Sequence, residues 1–331
     1  MIDHNTRMGV LFGTAYGDAL GAETEFMRYG EILHRYGQLG PATPAVHDWR
    51  VTDDTQMTLA LAEAIASATR QTAPLMTDLG RSYLLREAVR TEFLAYLDGR
   101  YGGHDGRHPG MTVMTSLRRL AGGAPLFRAG DQLSKGCGAN MRVAPVALLP
   151  WGEMDMIYAA RMQAVITHRH PTAVAAAQLT AQAVRALATG CSLSDLLPYL
   201  VSECQDWAMA TREGAFPRPL QVARMGWFEC QDALWSVETA LQVDDRYADP
   251  CVITGEGWTA EQCLATALAC LLLFPGDPVL AIRRAAATGG DSDSIAAITG
   301  ALAGAAYGFT AWPADWYSKI EFRQELEGAT A

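Results

Sequence analysis

Two short acidic segments, far apart in the chain, carry side chains that could do chemistry. Residues 289–294 read Gly-Gly-Asp-Ser-Asp-Ser and lead into an apolar run, and residues 51–55 read Val-Thr-Asp-Asp-Thr. Each segment stands where a helix is expected to begin. Taken alone, either segment is explained by helix capping, because Ser, Thr and Asp are preferred N-caps and acids in the first turn suit the helix dipole.

Together the two segments offer more oxygen atoms than capping requires. Capping uses one side chain, whereas each segment supplies at least three hydroxyl or carboxylate groups in a row. Aspartates that share a pocket repel one another unless cations compensate their charge. If the two helix starts meet, we expect an all-oxygen site for Mg²⁺ or Mn²⁺, with Ca²⁺ a poorer fit. Two such ions can hold an oxygen-bearing substrate and a water molecule in line.

The elements that would position these segments are helices. Apolar residues recur at helical spacing, and proline, glycine and capping residues mark the helix ends. The predicted helices are 55–68, 171–189, 263–274, one that starts at Asp277-Pro278, and one that runs from Ile295. Thr259-Ala-Glu-Gln262 matches a capping box for the third of these.

Residues 98–110 and 244–258 are rich in glycine, proline or charge, and both are long enough to suggest loops with a function. No stretch alternates like a strand over more than a few residues, and no linker or repeat divides the chain. The sequence therefore predicts an all-α fold, formed by a single compact multi-helix domain over residues 1–331.

Composition narrows the class of function. The chain has 331 residues, half of them hydrophobic, and a formal net charge of −10, which argues against a nucleic-acid or acidic-membrane partner. Seven cysteines occur without a CxxC pair, which favours a reducing cytoplasm over a disulfide framework or zinc knuckle. The longest apolar run, 263–274, is too short to span a bilayer, and no signal peptide is evident. We expect a monomer.

Two further segments suggest ligand contacts. Ser134 to Arg142 places glycine-flanked backbone amides ahead of an apolar run, a pattern that can cradle a diphosphate without many basic side chains. Cys137 within it is interpreted as a space-filling residue rather than a nucleophile. His168 and His170 lack a third nitrogen or sulfur ligand nearby, so hydrogen bonding near a helix start is favoured over zinc binding.

In combination and in this order, the motifs resemble those of the ADP-ribosylglycohydrolases, in particular the bacterial branch typified by dinitrogenase reductase-activating glycohydrolase. The resemblance covers nearly the whole chain. Its five pieces are GDALGAETEF at 17–26, VTDDTQM at 51–57, SKGCGANMRVAPVAL at 134–148, ITHRHP at 166–171 and GGDSDSIAAITGALAGAAYG at 289–308.

The resemblance implies an all-α domain with two Mg²⁺ or Mn²⁺ ions at the bottom of a cleft. The metal ligands carried over are Thr52, Asp53, Asp54, Asp291, Asp293 and Ser294. The catalytic residues carried over are Glu25, Asp54 and Asp293. The substrate-binding residues carried over are Ser134, Lys135, Gly136, Cys137, Gly138, Met141, His168, Gly289 and Gly290.

The implied reaction is hydrolysis of the N-glycosidic bond between ADP-ribose and a protein side chain, with arginine as the expected side chain. Its substrate would be an ADP-ribosylated protein and its product ADP-ribose. Two alternatives stay open: another ADP-ribose linkage (serine, a nucleobase or a metabolite), or an inactive ADP-ribose-binding module of the same fold. Retention of both acidic clusters and Glu25 argues against the module.

Two departures from the family pattern stand out. Ser294 occupies a position that is usually threonine, and either hydroxyl can bind a cation. Relatives also tend to carry an aspartate before the glycine and threonine of the loop that crosses the cleft, whereas residues 107–112 read Arg-His-Pro-Gly-Met-Thr. Asp105 would substitute for it only if the loop is displaced.

Overall fold

The structure is a computed structural model that describes residues 2–44, 48–73, 76–209, 214 and 216–330. Its α-helices are α1 (His4–Gly21), α2 (Tyr29–Tyr36), α3 (Asp53–Gln71), α4 (Asp78–Leu97), α5 (Met111–Ala121), α6 (Glu153–Val165), α7 (Pro171–Ala188), α8 (Leu193–Met209), α9 (Arg224–Leu241), α10 (Cys251–Thr254), α11 (Ala260–Leu273), α12 (Pro278–Ala286), α13 (Ser292–Tyr307), α14 (Ala314–Tyr317) and α15 (Arg323–Gly328). These ranges contain no strand, only isolated β-bridges that pair Asp131 with His168 and Gly136 with Thr259. The all-α prediction is confirmed.

Most predicted helix starts agree with the structure. Pro171 is the first residue of α7, where its fixed φ and missing N–H cost nothing. Asp277 precedes α12, and its carboxylate accepts a hydrogen bond from the Leu280 amide at 2.9 Å. The predicted segment 55–68 lies within α3.

The predicted capping box at the start of α11 is wrong. Thr259 is the N-cap, but its side chain makes no capping bond with any described residue. Instead, the amide of Ala260 donates to the carbonyl of Lys135 at 2.9 Å. The carboxylate of Glu261 pairs with the Lys135 ammonium at 2.8 Å. A segment distant in sequence therefore satisfies the helix end in place of a local box.

Glycines bring α1 and α13 into direct backbone contact. A Cβ added at Gly17 would lie 1.9 Å from the Ala296 carbonyl oxygen, and one added at Gly304 would lie 1.9 Å from the Gly9 oxygen. Because real Cβ atoms never approach so closely, only glycine allows this packing. The close approach fixes the end of α1 beside the start of α13.

The interior helices are buried on nearly every face. α7 and α11 are alanine-rich and apolar almost all round, as expected for helices enclosed by others. α7 contacts α6, α9, α11 and α13. None of the helices described here has the combination of length and apolar character that crossing a membrane demands.

Candidate active site

The start of α3 is organised by a buried carboxylate from α1. The side chain of Asp18 is fully buried and accepts hydrogen bonds from the amides of Thr52 and Thr55 at 3.0 Å and from the Thr55 hydroxyl at 2.5 Å. The Thr52 hydroxyl caps the helix by accepting from the Asp54 amide at 3.3 Å. Because Asp18 and Thr52 satisfy the first-turn donors, Asp53 and Asp54 are free to line a cavity.

The start of α13 is not held by the side-chain cap that the sequence predicts. Asp291 is the N-cap, but its carboxylate makes no capping bond with a described residue. Its amide donates to the Glu256 carbonyl at 2.8 Å. The Ser292 hydroxyl donates to the Gly21 carbonyl at 2.9 Å and accepts from the Thr24 hydroxyl at 3.0 Å. Backbone contacts and Ser292 hold the segment, which leaves both aspartates facing the cavity.

Both helix starts and Glu25 meet in one cavity of about 230 Å³. Glu25 lies in the turn after α1, and its amide donates to the Gly21 carbonyl at 3.0 Å. One carboxylate oxygen from each of Glu25, Asp291 and Asp293 lies within 4.8 Å of the other two. The acidic lining residues are Glu25, Asp53, Asp54, Asp291 and Asp293, and Ser294 lines the cavity beside them.

The cavity disfavours negative charge. Burial, and then the charge of Asp293, raises the pKa of Glu25 to about 10 and the pKa of Asp18 to about 7. The same two causes, in the same order, raise the pKa of Asp53, Asp54 and Asp291 well above the ordinary value. Buried carboxylates this close together require compensating positive charge if they are to ionise together.

The donor set fits divalent cations. Among the described residues that line the cavity there is no lysine or arginine to balance the carboxylates. The Oδ1 atom of Asp54 is buried and has no hydrogen-bond partner in the described chain. An unsatisfied carboxylate oxygen among other oxygen donors is the ligand type that Mg²⁺ and Mn²⁺ prefer.

The glycine loop forms another wall of the cavity. Gly136, Cys137, Gly138 and Met141 line it, with Cys137–Ala139 in a short 3₁₀-helix. A Cβ added at Gly138 would lie 2.9 Å from the His168 ring, so the loop and the ring can meet only because Gly138 has no side chain. The buried Arg142 donates to the Gly138 carbonyl at 2.8 Å and so holds the loop in place.

His168 presents one ring nitrogen to the cavity. Arg142 donates to the Thr167 hydroxyl oxygen at 2.8 Å, and that hydroxyl lies 2.9 Å from His168 Nδ1. Burial lowers the pKa of His168 to about 3, so the ring is neutral. While it accepts from Arg142, the Thr167 hydroxyl can donate its proton to Nδ1, an arrangement in which Nε2 carries the N–H.

Some of the predicted substrate-binding residues lie outside the cavity lining. Lys135 is held in ion pairs with Glu229 at 2.7 Å and Glu261 at 2.8 Å. Ser134 lies 3.2 Å from the hydroxyl of Thr112, which does line the cavity.

The two glycines before Asp291 also lie outside the lining. The amide of Gly289 donates to Asp249 at 3.0 Å. A Cβ added at Gly290 would lie 1.9 Å from the Glu256 carbonyl oxygen, so this glycine serves a backbone contact within the protein.

The loop without the expected acid contributes His108, Gly110, Met111 and Thr112 to the cavity. Asp105 is exposed and does not line it. Arg107 anchors the loop by donating to both carboxylate oxygens of Glu321 at 2.7–2.8 Å. His108 adopts a left-handed backbone conformation with φ of 52°.

An aromatic group at the cavity has no counterpart in the sequence predictions. Trp258 lines the cavity, and its indole N–H donates to Glu256 at 3.1 Å. Phe26 stacks on Trp258 with ring centroids 5.9 Å apart, and lies 5.5 Å from the His108 ring. Phe26 is 65% exposed and Trp258 42% exposed. Only their exposure in the folded chain reveals them.

Comparison with known proteins places this chain and its fold in a family. A family model described as ADP-ribosylglycohydrolase matches residues 3–331. A solved structure titled "ADP-ribosylglycohydrolase-related protein complex" superposes with a TM-score of 0.67 and 26% identity, covering 99% of this chain and 96% of that one.

Curated relatives have the same kind of activity in their names. ADP-ribosyl-[dinitrogen reductase] glycohydrolase of Rhodospirillum rubrum is 27% identical over 98% of this chain and 93% of its own length. ADP-ribosylarginine hydrolase Tri1 of Serratia proteamaculans is 28% identical over 96% and 76%, and ADP-ribosylhydrolase ARH3 of Danio rerio is 27% identical over 96% and 87%. The chain belongs to the ADP-ribosylglycohydrolase family, whose members are hydrolases that act on glycosyl bonds.

Proposed function

We propose that this protein hydrolyses the N-glycosidic bond between ADP-ribose and a modified arginine side chain of a protein. The observation that carries the proposal is the convergence of five carboxylates on a cavity walled by a glycine loop. That arrangement suits a reaction in which positive charge develops at a sugar carbon while the ligand's phosphates rest on backbone amides.

Two divalent cations, Mg²⁺ or Mn²⁺, fit the acidic side of the cavity. The residues that would hold them are Thr52, Asp53, Asp54, Asp291, Asp293 and Ser294. When bound, such cations supply positive charge that grips hydroxyl oxygens and acidifies water. Their charge would also stabilise the ionised carboxylates, whose pKa values are raised by burial and then by mutual repulsion.

Glu25 is the residue we assign to the attacking water. It belongs to the acidic group but to neither helix start, and its raised pKa means that it would accept a proton only once bound cations offset the burial and the neighbouring carboxylates. As the water oxygen bonds to the anomeric carbon, one water proton passes to Glu25 and the carbon–nitrogen bond breaks. The departing neutral guanidine takes up the proton that Glu25 received and leaves as the guanidinium. Asp54 and Asp293 are the alternative candidates for this role.

The wall formed by the glycine loop and His168 would bind the rest of ADP-ribose. Gly136, Cys137 and Gly138 offer backbone surface for the diphosphate, and His168 offers a neutral N–H donor through Nε2. This mode of binding explains how a protein with a net charge of −10 could hold a phosphate-bearing ligand.

The aromatic residues favour arginine over serine as the linked side chain. Trp258 and His108 line the cavity and Phe26 packs against both rings, and a planar guanidinium is attracted to exposed aromatic faces. A serine linkage carries no charge and would gain little from them. The named arginine hydrolases among the relatives support the same choice.

The direct test is ADP-ribose release from matched arginine-, serine- and nucleobase-linked substrates, each assayed with Mg²⁺ or Mn²⁺ and with a chelator. We expect release from the arginine-linked substrate only, and its loss in chelator. Faster release from serine would reassign the linkage. Binding of ADP-ribose without turnover of any substrate would identify a binding module instead.

A further inference from the structure

A second cavity, of about 610 Å³, is lined by four arginines. They are Arg86, Arg128, Arg169 and Arg218, and Glu87 is the one acid among the described residues of its lining. This cavity shares no lining residue with the acidic cavity.

The four arginines come from separate parts of the chain. Arg86 lies within α4, Arg128 ends the 3₁₀-helix Leu126–Arg128, Arg169 follows the β-bridge residue His168, and Arg218 begins the 3₁₀-helix Arg218–Leu220. Their convergence is a property of the tertiary fold rather than a local run of charge.

Among the residues that the structure describes, these arginines have no acidic partners. Arginine ion pairs elsewhere involve Arg70, Arg81, Arg100 and Arg107. None of the four cavity arginines is paired with an acid in the described ranges. The Nε atom of Arg86 is buried and without a hydrogen-bond partner there. Grouping unpaired positive charges costs free energy that a bound anion would recover.

We propose that this cavity binds a phosphate-bearing small molecule of the nucleotide class. A guanidinium presents a rigid fork of donors that matches phosphate oxygens, and several forks can grip one diphosphate. Pro125, Phe127 and Pro219 add apolar surface against which a flat ring can pack. The volume falls within the range of about 300–1,000 Å³ typical of small-molecule sites.

The site adjoins the acidic cavity along the chain. His168 lines the acidic cavity and Arg169 lines the basic one. The Arg169 amide donates to the Asp131 carbonyl at 2.7 Å, and this bond fixes the backbone at the point where the two cavities adjoin. Because the proposed substrate also carries phosphates, a binding test has to separate the two cavities.

The test is isothermal titration of inorganic pyrophosphate, ADP and adenosine in the presence of a chelator. The variants are the double substitution Arg86→Gln/Arg169→Gln, the control Arg90→Gln and Asp293→Asn. Arg90 is exposed on the same helix as Arg86 but does not line the cavity. Thermal melting of each variant reports folding. If the double variant melts at a lower temperature than the parent, Arg128→Gln/Arg218→Gln replaces it. Both of these side chains are exposed, so their replacement should leave folding unaffected.

We expect ADP to bind the parent, Arg90→Gln and Asp293→Asn equally, and the arginine double variant at least about tenfold more weakly. ADP should bind more tightly than adenosine or pyrophosphate, and added salt should weaken it. The proposal is overturned if the parent binds none of the probes, if the double variant binds like the parent, or if Asp293→Asn abolishes binding. Equal affinities of the protein for ADP and for pyrophosphate would exclude a nucleotide as the ligand of this cavity.

Discussion

The Cα of Gly21, at the end of α1, packs against the backbone of Asp293. A Cβ added at Gly21 would lie only 2.4 Å from the Asp293 Cα. Glu25 follows Gly21 by one helical turn, and its amide donates to the Gly21 carbonyl. This contact therefore fixes the distance between the two carboxylates on which the proposed chemistry depends.

The α1–α13 contact predicts a strong effect of Gly17→Ala. Its Cβ would meet the Ala296 carbonyl at 1.9 Å, so the helices must separate, at a cost of about 1–3 kcal/mol in the free energy of unfolding. Urea unfolding measures this directly. Gly30→Ala is the matched control, because nothing lies within 4 Å of its Cβ position and stability should be unchanged or slightly higher. Equal stability of both variants would contradict the packing.

The pH dependence of stability follows from the raised carboxylate pKa values. In chelator, Asp18 with a folded pKa of about 7 holds its proton more tightly in the folded than in the unfolded chain, where the ordinary value is 3.8. The contribution of Asp18 to the free energy of unfolding is then greatest below pH 4 and is lost as the pH rises through 7. Glu25, with a pKa of about 10, extends the fall to higher pH.

Thermal melting between pH 5 and 8, with and without Mn²⁺, measures this trend. In chelator the melting temperature should be lower at the higher pH. Saturating Mn²⁺ should reverse much of the loss, because a cation that binds only the folded state stabilises it. A melting temperature that rises with pH in chelator would contradict the buried acidic cluster.

Local sequence placed the acidic residues beside two helix starts but left open whether those starts meet. Asp53, Asp54, Asp291 and Asp293 stand beside predicted helix starts, and the structure brings these carboxylates to one cavity. The cap by Thr52 was predictable, whereas the part played by Asp18 in the first turn of α3 was not, because Asp18 lies on another helix.

Residues whose surroundings depend on distant segments were harder to interpret. Lys135 resembles a phosphate ligand in sequence, but the fold places it between Glu229 and Glu261. Gly290 resembles a ligand-facing glycine, but it accommodates the backbone of Glu256. Trp258 carries no motif at all, and only the folded chain brings it to the cavity.

Thr167 is predicted to orient His168 for ligand binding. Thr167→Val removes the hydroxyl between Arg142 and His168 Nδ1, so the imidazole loses the partner that selects its tautomer. We expect KM for the arginine-linked substrate to rise about tenfold with a smaller change in kcat, and Thr167→Ser to restore it. Steady-state kinetics of the three proteins measure this. An unchanged KM in a folded Thr167→Val variant would refute the assignment.

Trp258 is predicted to favour the charged linkage. Trp258→Ala should raise KM for the arginine-linked substrate by about 2- to 30-fold, corresponding to ~0.5–2 kcal/mol of cation–π attraction. Affinity for free ADP-ribose should hardly change. Trp235→Ala is the control, since Trp235 is 47% exposed on α9 and does not line the cavity. Weaker binding of ADP-ribose by Trp258→Ala would instead mean that the indole contacts ADP-ribose rather than the linked arginine.

The central claim is tested most directly by turnover of the arginine-linked substrate by Asp53→Asn and Asp291→Asn, one from each helix start. With Mg²⁺ or Mn²⁺ present, the rate of ADP-ribose release should fall by more than about a hundredfold in each variant. The loss of a metal ligand is expected to cost more than the loss of the hydrogen bonds that orient such a ligand. Circular dichroism and chelator-state melting should match the parent or improve, since each change removes one buried repelling charge. Release at the parent rate by either folded variant would contradict the account.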